Sequence, residues 1–328
     1  SADMRFLLLT IVALSASPAA FAGDMYKWQD EDGLWHFSDT PPAQADQAFD
    51  TFVTHGEPRT MITARRAGLR HKPEHYFFNR YSGPAEVELS LAQASNVVTD
   101  PPLPARFVVP GQTEQRLLSV SARDETQGFT YRLSFRAMPG PPMDDLPADL
   151  DYYPPFARGT RFPISQGLDD STTHNDGANR YAVDIVMPTG TPVLAARGGV
   201  VMDTEEDYHG EGKQEAKYLP RANHVRILHD DGTMAVYAHL QANSVRVAPG
   251  MKVPAGFWVA NSGNSGFSSG PHLHFVVQMN VGMALESLPF RFRLPTGGLM
   301  DPDRPQMLEG VLAGPSANAA ATAPAASR

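Results

Sequence analysis

The chain has 328 residues, 42% of them hydrophobic, enough for two domains that each bury a core. A formal charge of -9 at pH 7 excludes an electrostatic grip on nucleic acid or on an anionic membrane surface. Zero cysteines exclude disulfides, thiolate metal sites, cysteine nucleophiles and a lipidated cysteine, so any metal must use His, Asp or Glu, while 27 Gly and 29 Pro favour turn-rich β structure.

Residues 1–22 read as a Sec-type signal peptide: Arg5, an apolar run from Phe6 to Leu14, then Ala20 and Ala22 flanking Phe21. The run is too short to span a bilayer. Met4 reads as the native start, with residues 1–3 added ahead of it. These features predict a periplasmic or secreted protein with no stable membrane insertion after signal cleavage.

Residues 23–43 form a small aromatic-rich module of two short strands joined by an Asp-Gly turn at Asp32-Gly33. Trp28, Asp30, Gly33, Phe37, Ser38, Asp39 and Pro42 carry a resemblance to a small domain of unknown function found near the start of many exported proteobacterial proteins. The resemblance implies no chemistry, and the module is expected to pack or to bind a protein partner. His36 belongs to the hairpin, and His55 has no nameable partner.

Residues 51–138 read as strand after strand, with Phe129 to Ala137 alternating apolar and polar and Val87, Leu89 and Leu91 doing the same. The pattern predicts a small immunoglobulin-like β-sandwich without chemistry. His71 and Glu74-His75 match the H-x-x-E-H spacing of some zinc peptidases. That motif needs a helix, which Pro73 opposes. Residues 139–160 are proline-rich and acidic and read as a stiff linker, and residues 305–328 as a disordered Ala/Pro tail.

Residues 161–304 hold the candidate site. The stretch from Asn223 to Leu240 reads as a hairpin turning at Asp231-Gly232, with Tyr237 and His239 on one face of the return strand. In an extended Gly270-Pro271-His272-Leu273-His274-Phe275, both histidines project from one face while Leu273 and Phe275 enter the core. His224 and His229 read as hairpin surface positions, and the loop from Asp203 to Lys213, with His209, as a mobile rim. Ser262, Ser265 and Ser268 lie in a glycine-rich turn that lacks the Lys-Ser/Thr of a phosphate loop and any Ser-His-Asp context.

Together, His174, Asp184, Gly190 to Val193, Tyr237 to Leu240, Gly263 to Gly266 and Gly270 to Phe275 resemble the lysostaphin-like (LytM-type) zinc metallopeptidases that cut peptidoglycan cross-bridges. The resemblance implies a mainly β fold whose peptidase domain is an antiparallel β-sheet. It also implies one Zn2+ per chain, held by His174, Asp184 and His274, with His239 and His272 as catalytic histidines. Two imidazoles and one carboxylate would leave the open position that water activation needs. Nine residues separate His174 from Asp184, where the best-known members have three, so the loop between them must fold back. The implied substrate is a peptidoglycan peptide, with the D-alanyl to diaminopimelate bond as the expected target. The rival readings are a non-catalytic LytM-type regulator of cell-wall enzymes and a secreted protease of glycine-rich proteins or other species' walls.

Overall fold

The computed structural model of the protein describes residues 59–168, 176–209, 222–266, 268 and 270–315, together with the backbone of three strands nearer the N terminus. The signal-peptide reading over 1–22, His55, His174 and residues 316–328 lie outside the described residues, and of His36 only the backbone is described. The chain divides into two compact units, residues 1–58 and 59–328. In the first, β1 (Asp24–Gln29) pairs antiparallel with β2 (Trp35–Ser38) and with β3 (Asp50–Val53), so the expected hairpin has a third strand.

The second unit opens with seven antiparallel strands in two sheets. β4 (Ile62–Leu69), β5 (Lys72–Asn79), β6 (Ala85–Ser95), β7 (Val97–Asp100), β8 (Ala105–Val109), β9 (Glu114–Ala122) and β10 (Thr130–Pro139) arrange as β4-β5-β9-β7 and β10-β6-β8. Phe77, Val87, Leu89, Leu118 and Val120 lie in one buried cluster drawn from both. The expected immunoglobulin-like topology is not found. In that fold the fifth strand joins the first, second and fourth, whereas here it is the sixth, β9, that pairs with β5 and β7, and β8 pairs with β6. Alternation within a strand orients side chains, but it does not choose the neighbouring strand. Glu74 and His75 lie on β5, with His75 Nε2 2.7 Å from the Tyr131 hydroxyl, and His71 lies in the turn before it, so the H-x-x-E-H spacing falls on no helix.

The rest of the unit is built on β11 (Asp151–Tyr152), β12 (Arg161–Gln166), β13 (Val183–Ile185), β14 (Pro192–Leu194), β15 (Gly199–Glu205), β16 (His224–Leu228), β17 (Met234–Ala238), β18 (Lys252–Val253), β19 (Trp258–Asn261), β20 (Leu273–Asn280), β21 (Leu285–Ser287), β22 (Arg291–Arg293), β23 (Leu299–Met300) and β24 (Met307–Glu309). Nine of them form an antiparallel sheet in the order β18-β15-β16-β17-β20-β13-β12-β24, with β21 on the far end of β20. Leu273, Phe275, Val277 and Met279 face one core, which is what alternation predicts for β20. Phe275 is fully buried among Tyr152, Tyr237, Phe290 and Phe292, with ring centroids 5.2–5.9 Å away. Burying one such side chain stabilises the fold by roughly 2–3 kcal/mol.

Two segments, read as a stiff linker and a disordered tail, contribute residues to this core. Leu150, Tyr152 and Phe156 of the proline-rich stretch are buried in it. Leu308 of the expected tail is fully buried, and its strand β24 pairs with β12. Large apolar side chains within Pro-rich and Ala-rich surroundings outweigh the composition around them. The first seven strands lock to the large sheet through the buried Glu86, whose Oε2 accepts hydrogen bonds from Asn280 Nδ2 at 3.0 Å and the Met283 amide at 2.7 Å.

Candidate active site

Four strands set the site by their register. Asp184 of β13 lies opposite His274 of β20, which lies opposite Ala238 of β17, which in turn lies opposite His224 of β16. Residues opposed across antiparallel strands share a face, here the face away from the Phe275 core. The small Ala238 leaves room beside His274, and His239 and His272 close in from the two neighbouring loops.

His274 Nδ1 is 3.0 Å from Asp184 Oδ1, and its Nε2 is 3.3 Å from Asn179 Oδ1. The Asn179 amide is oriented by its own donations to both oxygens of Asp176, each at 3.0 Å. Both nitrogens of His274 therefore face oxygen acceptors, and a neutral ring can donate to only one of them. His272 Nε2 lies 3.7 Å from Asp184 Oδ1. Its Nδ1 donates to the Gly270 carbonyl at 2.8 Å, with the Ser268 hydroxyl 3.2 Å away. The rings of His239 and His272 are 4.6 Å apart between centroids, and those of His239 and His274 5.7 Å.

His239 reaches this cluster by a route that alternation did not predict. β16 and β17 pair regularly from Leu228 opposite Met234 to His224 opposite Ala238. The next bond runs from the Leu240 N–H to the Asn223 carbonyl at 3.1 Å, skipping His239. His239 is the extra residue of a β-bulge, with a left-handed φ of 60°. Holding a non-glycine residue there costs about 1–2 kcal/mol. Tyr237 and His239 thus do not share a face. Tyr237 is fully buried in the core and its hydroxyl accepts from the Ala196 amide at 2.7 Å, while the bulge turns His239 to the opposite side.

His239 Nδ1 donates to the Ser265 carbonyl at 2.7 Å, which places the lone pair of the neutral ring on Nε2. Burial, helped by the neighbouring His272 and His274, pushes its pKa down to about 3. The ring is therefore a neutral acceptor at physiological pH. The loop that supplies Ser265 must come close to the bulge, and Gly263 allows it, since a Cβ there would sit 2.5 Å from the Gln241 nitrogen.

Sequence reasoning placed Asp184, His239, His272 and His274 together, and the structure brings these four into one cluster. It gave no signal for Asn179, Ser265 or Ser268, which hold the three histidines through short-range contacts that no spacing rule encodes. His229 is buried rather than a surface residue, and His224 binds Asp203 Oδ2 through Nε2 at 2.7 Å. Asp203 itself lies in β15, not in a loop.

The expectation of one zinc ion per chain is corrected. Among the described residues no group of three or more His, Cys, Asp or Glu could hold a metal ion. Asp184 and His274 engage each other, Asn179 faces the remaining nitrogen of His274, and His174 lies outside the described residues.

The model of peptidase family M23 matches residues 178–285. This segment is an M23 peptidase domain. A domain of unknown function (DUF4124) matches residues 12–59. The M23 domain is 33% identical over 119 residues to the glycyl-glycine endopeptidase ALE-1 of Staphylococcus capitis, covering 35% of this chain and 30% of that protein. It is 32% identical over 119 residues to the peptidoglycan DD-endopeptidase ShyA of Vibrio cholerae, covering 35% of this chain and 25% of that one. Among solved structures, lysostaphin in solution aligns at 29% identity over 36% of this chain and 44% of that chain, with a TM-score of 0.28. The chain spans no more than 30% of the length of these curated relatives.

Proposed function

We propose that the M23 domain is the catalytic part of an exported endopeptidase that hydrolyses peptide cross-links of peptidoglycan, with the D-alanyl to diaminopimelate bond as its target. The similarity to proteins named as a peptidoglycan DD-endopeptidase and a glycyl-glycine endopeptidase supports the substrate class. The observation that carries the reading is the cross-strand register that collects Asp184, His272 and His274 with the bulged His239. Arg5, the short apolar run of residues 6–14 and Ala20 and Ala22 flanking Phe21 support a periplasmic or secreted location.

In this reading His239 and His272 are the catalytic residues. The neutral His239, with its Nε2 lone pair free of the Ser265 bond, accepts a hydrogen bond from the attacking water and aims its oxygen at the scissile carbonyl. His272, whose Nε2 faces the Asp184 carboxylate at 3.7 Å, takes the water proton as the new C–O bond forms. As the C–N bond breaks, the proton passes to the departing amine, and the new carboxyl keeps the water oxygen. Asp184 and Asn179 hold His274 as the third wall.

The test is to incubate the full chain with purified diaminopimelate-type sacculi and separate the released muropeptides by mass. Cross-linked dimers should fall as monomers rise, and His272→Ala should slow this by about 100-fold to 10,000-fold. Dimers that persist with the wild-type chain would sink the proposal.

A further inference from the structure

Asn223 is fully buried and sits where the ladder slips. Its carbonyl accepts the Leu240 N–H that closes the bulge, at 3.1 Å, and its Nδ2 donates back to the Leu240 carbonyl at 3.2 Å. Leu240 is thereby gripped on both sides, one residue beyond His239. The Asn223 amide N–H donates to Ser265 Oγ at 3.1 Å, and the same Oγ donates to the Leu240 carbonyl at 2.8 Å. Ser265 is also the residue whose carbonyl holds His239 Nδ1. A third connection ties Asn223 to Tyr208, which donates its amide to Oδ1 and accepts from Nδ2, both at 2.9 Å.

We propose that Asn223 is a positioning residue for the reaction assigned above: it fastens the bulge, and through Ser265 it fixes the ring orientation and tautomer of His239. The physical reason is that a left-handed histidine has nothing of its own to keep it there. The unbulged ladder would pair His239 with Asn223 and swing its ring to the Tyr237 face. Asn223 touches both the backbone that defines the slip and the loop that receives the ring's N–H. Gly266 keeps that loop close, since a Cβ there would meet the Ala222 backbone at 2.9 Å.

The inference rests on the proposed hydrolytic role of His239, yet one readout does not need activity. Asn223→Ala is compared with Asn79→Ala in the full chain. Asn79 is equally buried and its amide donates to the carbonyls of Gly83 and Val109 at 3.0 and 2.9 Å, but it lies among the first seven strands, away from the site. Both variants should lower Tm. Asn223→Ala keeps the two backbone bonds, to the Leu240 N–H and to Ser265 Oγ, but strips the Nδ2 donation to the Leu240 carbonyl and both side-chain bonds to Tyr208. With that grip on the bulge gone, kcat on cross-linked muropeptides should fall by roughly 10-fold to 100-fold with KM within about twofold, since only the placement of the acceptor changes. The slowly exchanging Nδ1–H resonance of His239, read by nitrogen-labelled NMR, should broaden or vanish. Asn79→Ala should leave kcat and that resonance alone. The proposal is overturned if Asn223→Ala lowers Tm while the His239 resonance and kcat stay as in Asn79→Ala. Should Asn223→Ala fail to fold, Ser265→Ala keeps the carbonyl to His239 but removes the Oγ link, and an unmoved His239 resonance there overturns it as well. If the wild-type chain does not cut sacculi, the resonance alone decides.

Discussion

His229 makes the fold sensitive to mild acid. Its ring is buried, Nδ1 donates to the Gly198 carbonyl at 2.8 Å, and Tyr152 lies against it at 5.5 Å between centroids. Nε2 is buried without a partner among the described residues, so a proton added there would meet no acceptor among them. Burial pushes the pKa down to about 4, from an unfolded value near 6.5. Between these values the unfolded chain binds a proton that the folded one refuses, so stability is full above about pH 6.5 and falls as pH drops towards 4. Integrated from pH 7.5 to 4.5, the loss is about 2.5 kcal/mol from this group. His239 weakens the fold in the same direction, so the informative quantity is a difference between proteins. His229→Asn retains a donor for Gly198 and removes the titration. Urea unfolding at pH 7.5 and 4.5 should show a loss smaller by about 2.5 kcal/mol in the variant than in the wild type. Equal losses in the two proteins would refute the argument.

Other consequences can be measured in the same way. Tyr237→Phe leaves the buried Ala196 N–H without its acceptor and should cost about 1–3 kcal/mol, or roughly 4 °C in Tm; an unchanged Tm would mean that this amide finds another partner. Asp203 is held below its usual pKa because Arg226 and His224 outweigh the burial that pushes it up. Its contribution is therefore full above about pH 4, near the unfolded value, and lost below it. Asp203→Asn, which strips Arg226 of its carboxylate, should cost about 3 kcal/mol at pH 7, and thermal melts that coincide with wild type would contradict it.

Much of the candidate site was legible because β structure writes its faces into alternation. Leu273 and Phe275 inward with His274 outward follow from a period of two, as does the hairpin turning at Gly232, which adopts a φ of 84°. The site's supports were not legible. Asn223, Asn179 and Ser265 act through hydrogen bonds whose partners lie up to 95 residues away, and polar residues in turns look alike in a sequence whatever they hold. The core residues inside the expected linker and tail escaped notice for a related reason. Composition averages over a window, whereas a single Tyr152, Phe156 or Leu308 that fits the core decides where its segment goes.

The sequence by itself determined a mainly β protein, and its motifs singled out Asp184, His239, His272 and His274 as candidate site residues, because periodicity places most side chains on faces and residue type marks those able to carry chemistry. Only the tertiary structure decided which strands neighbour one another, that His239 escapes its strand through a bulge, and that His229 is buried and neutral. Those outcomes depend on register and packing between distant segments, and no local pattern specifies the partner against which a strand finally settles.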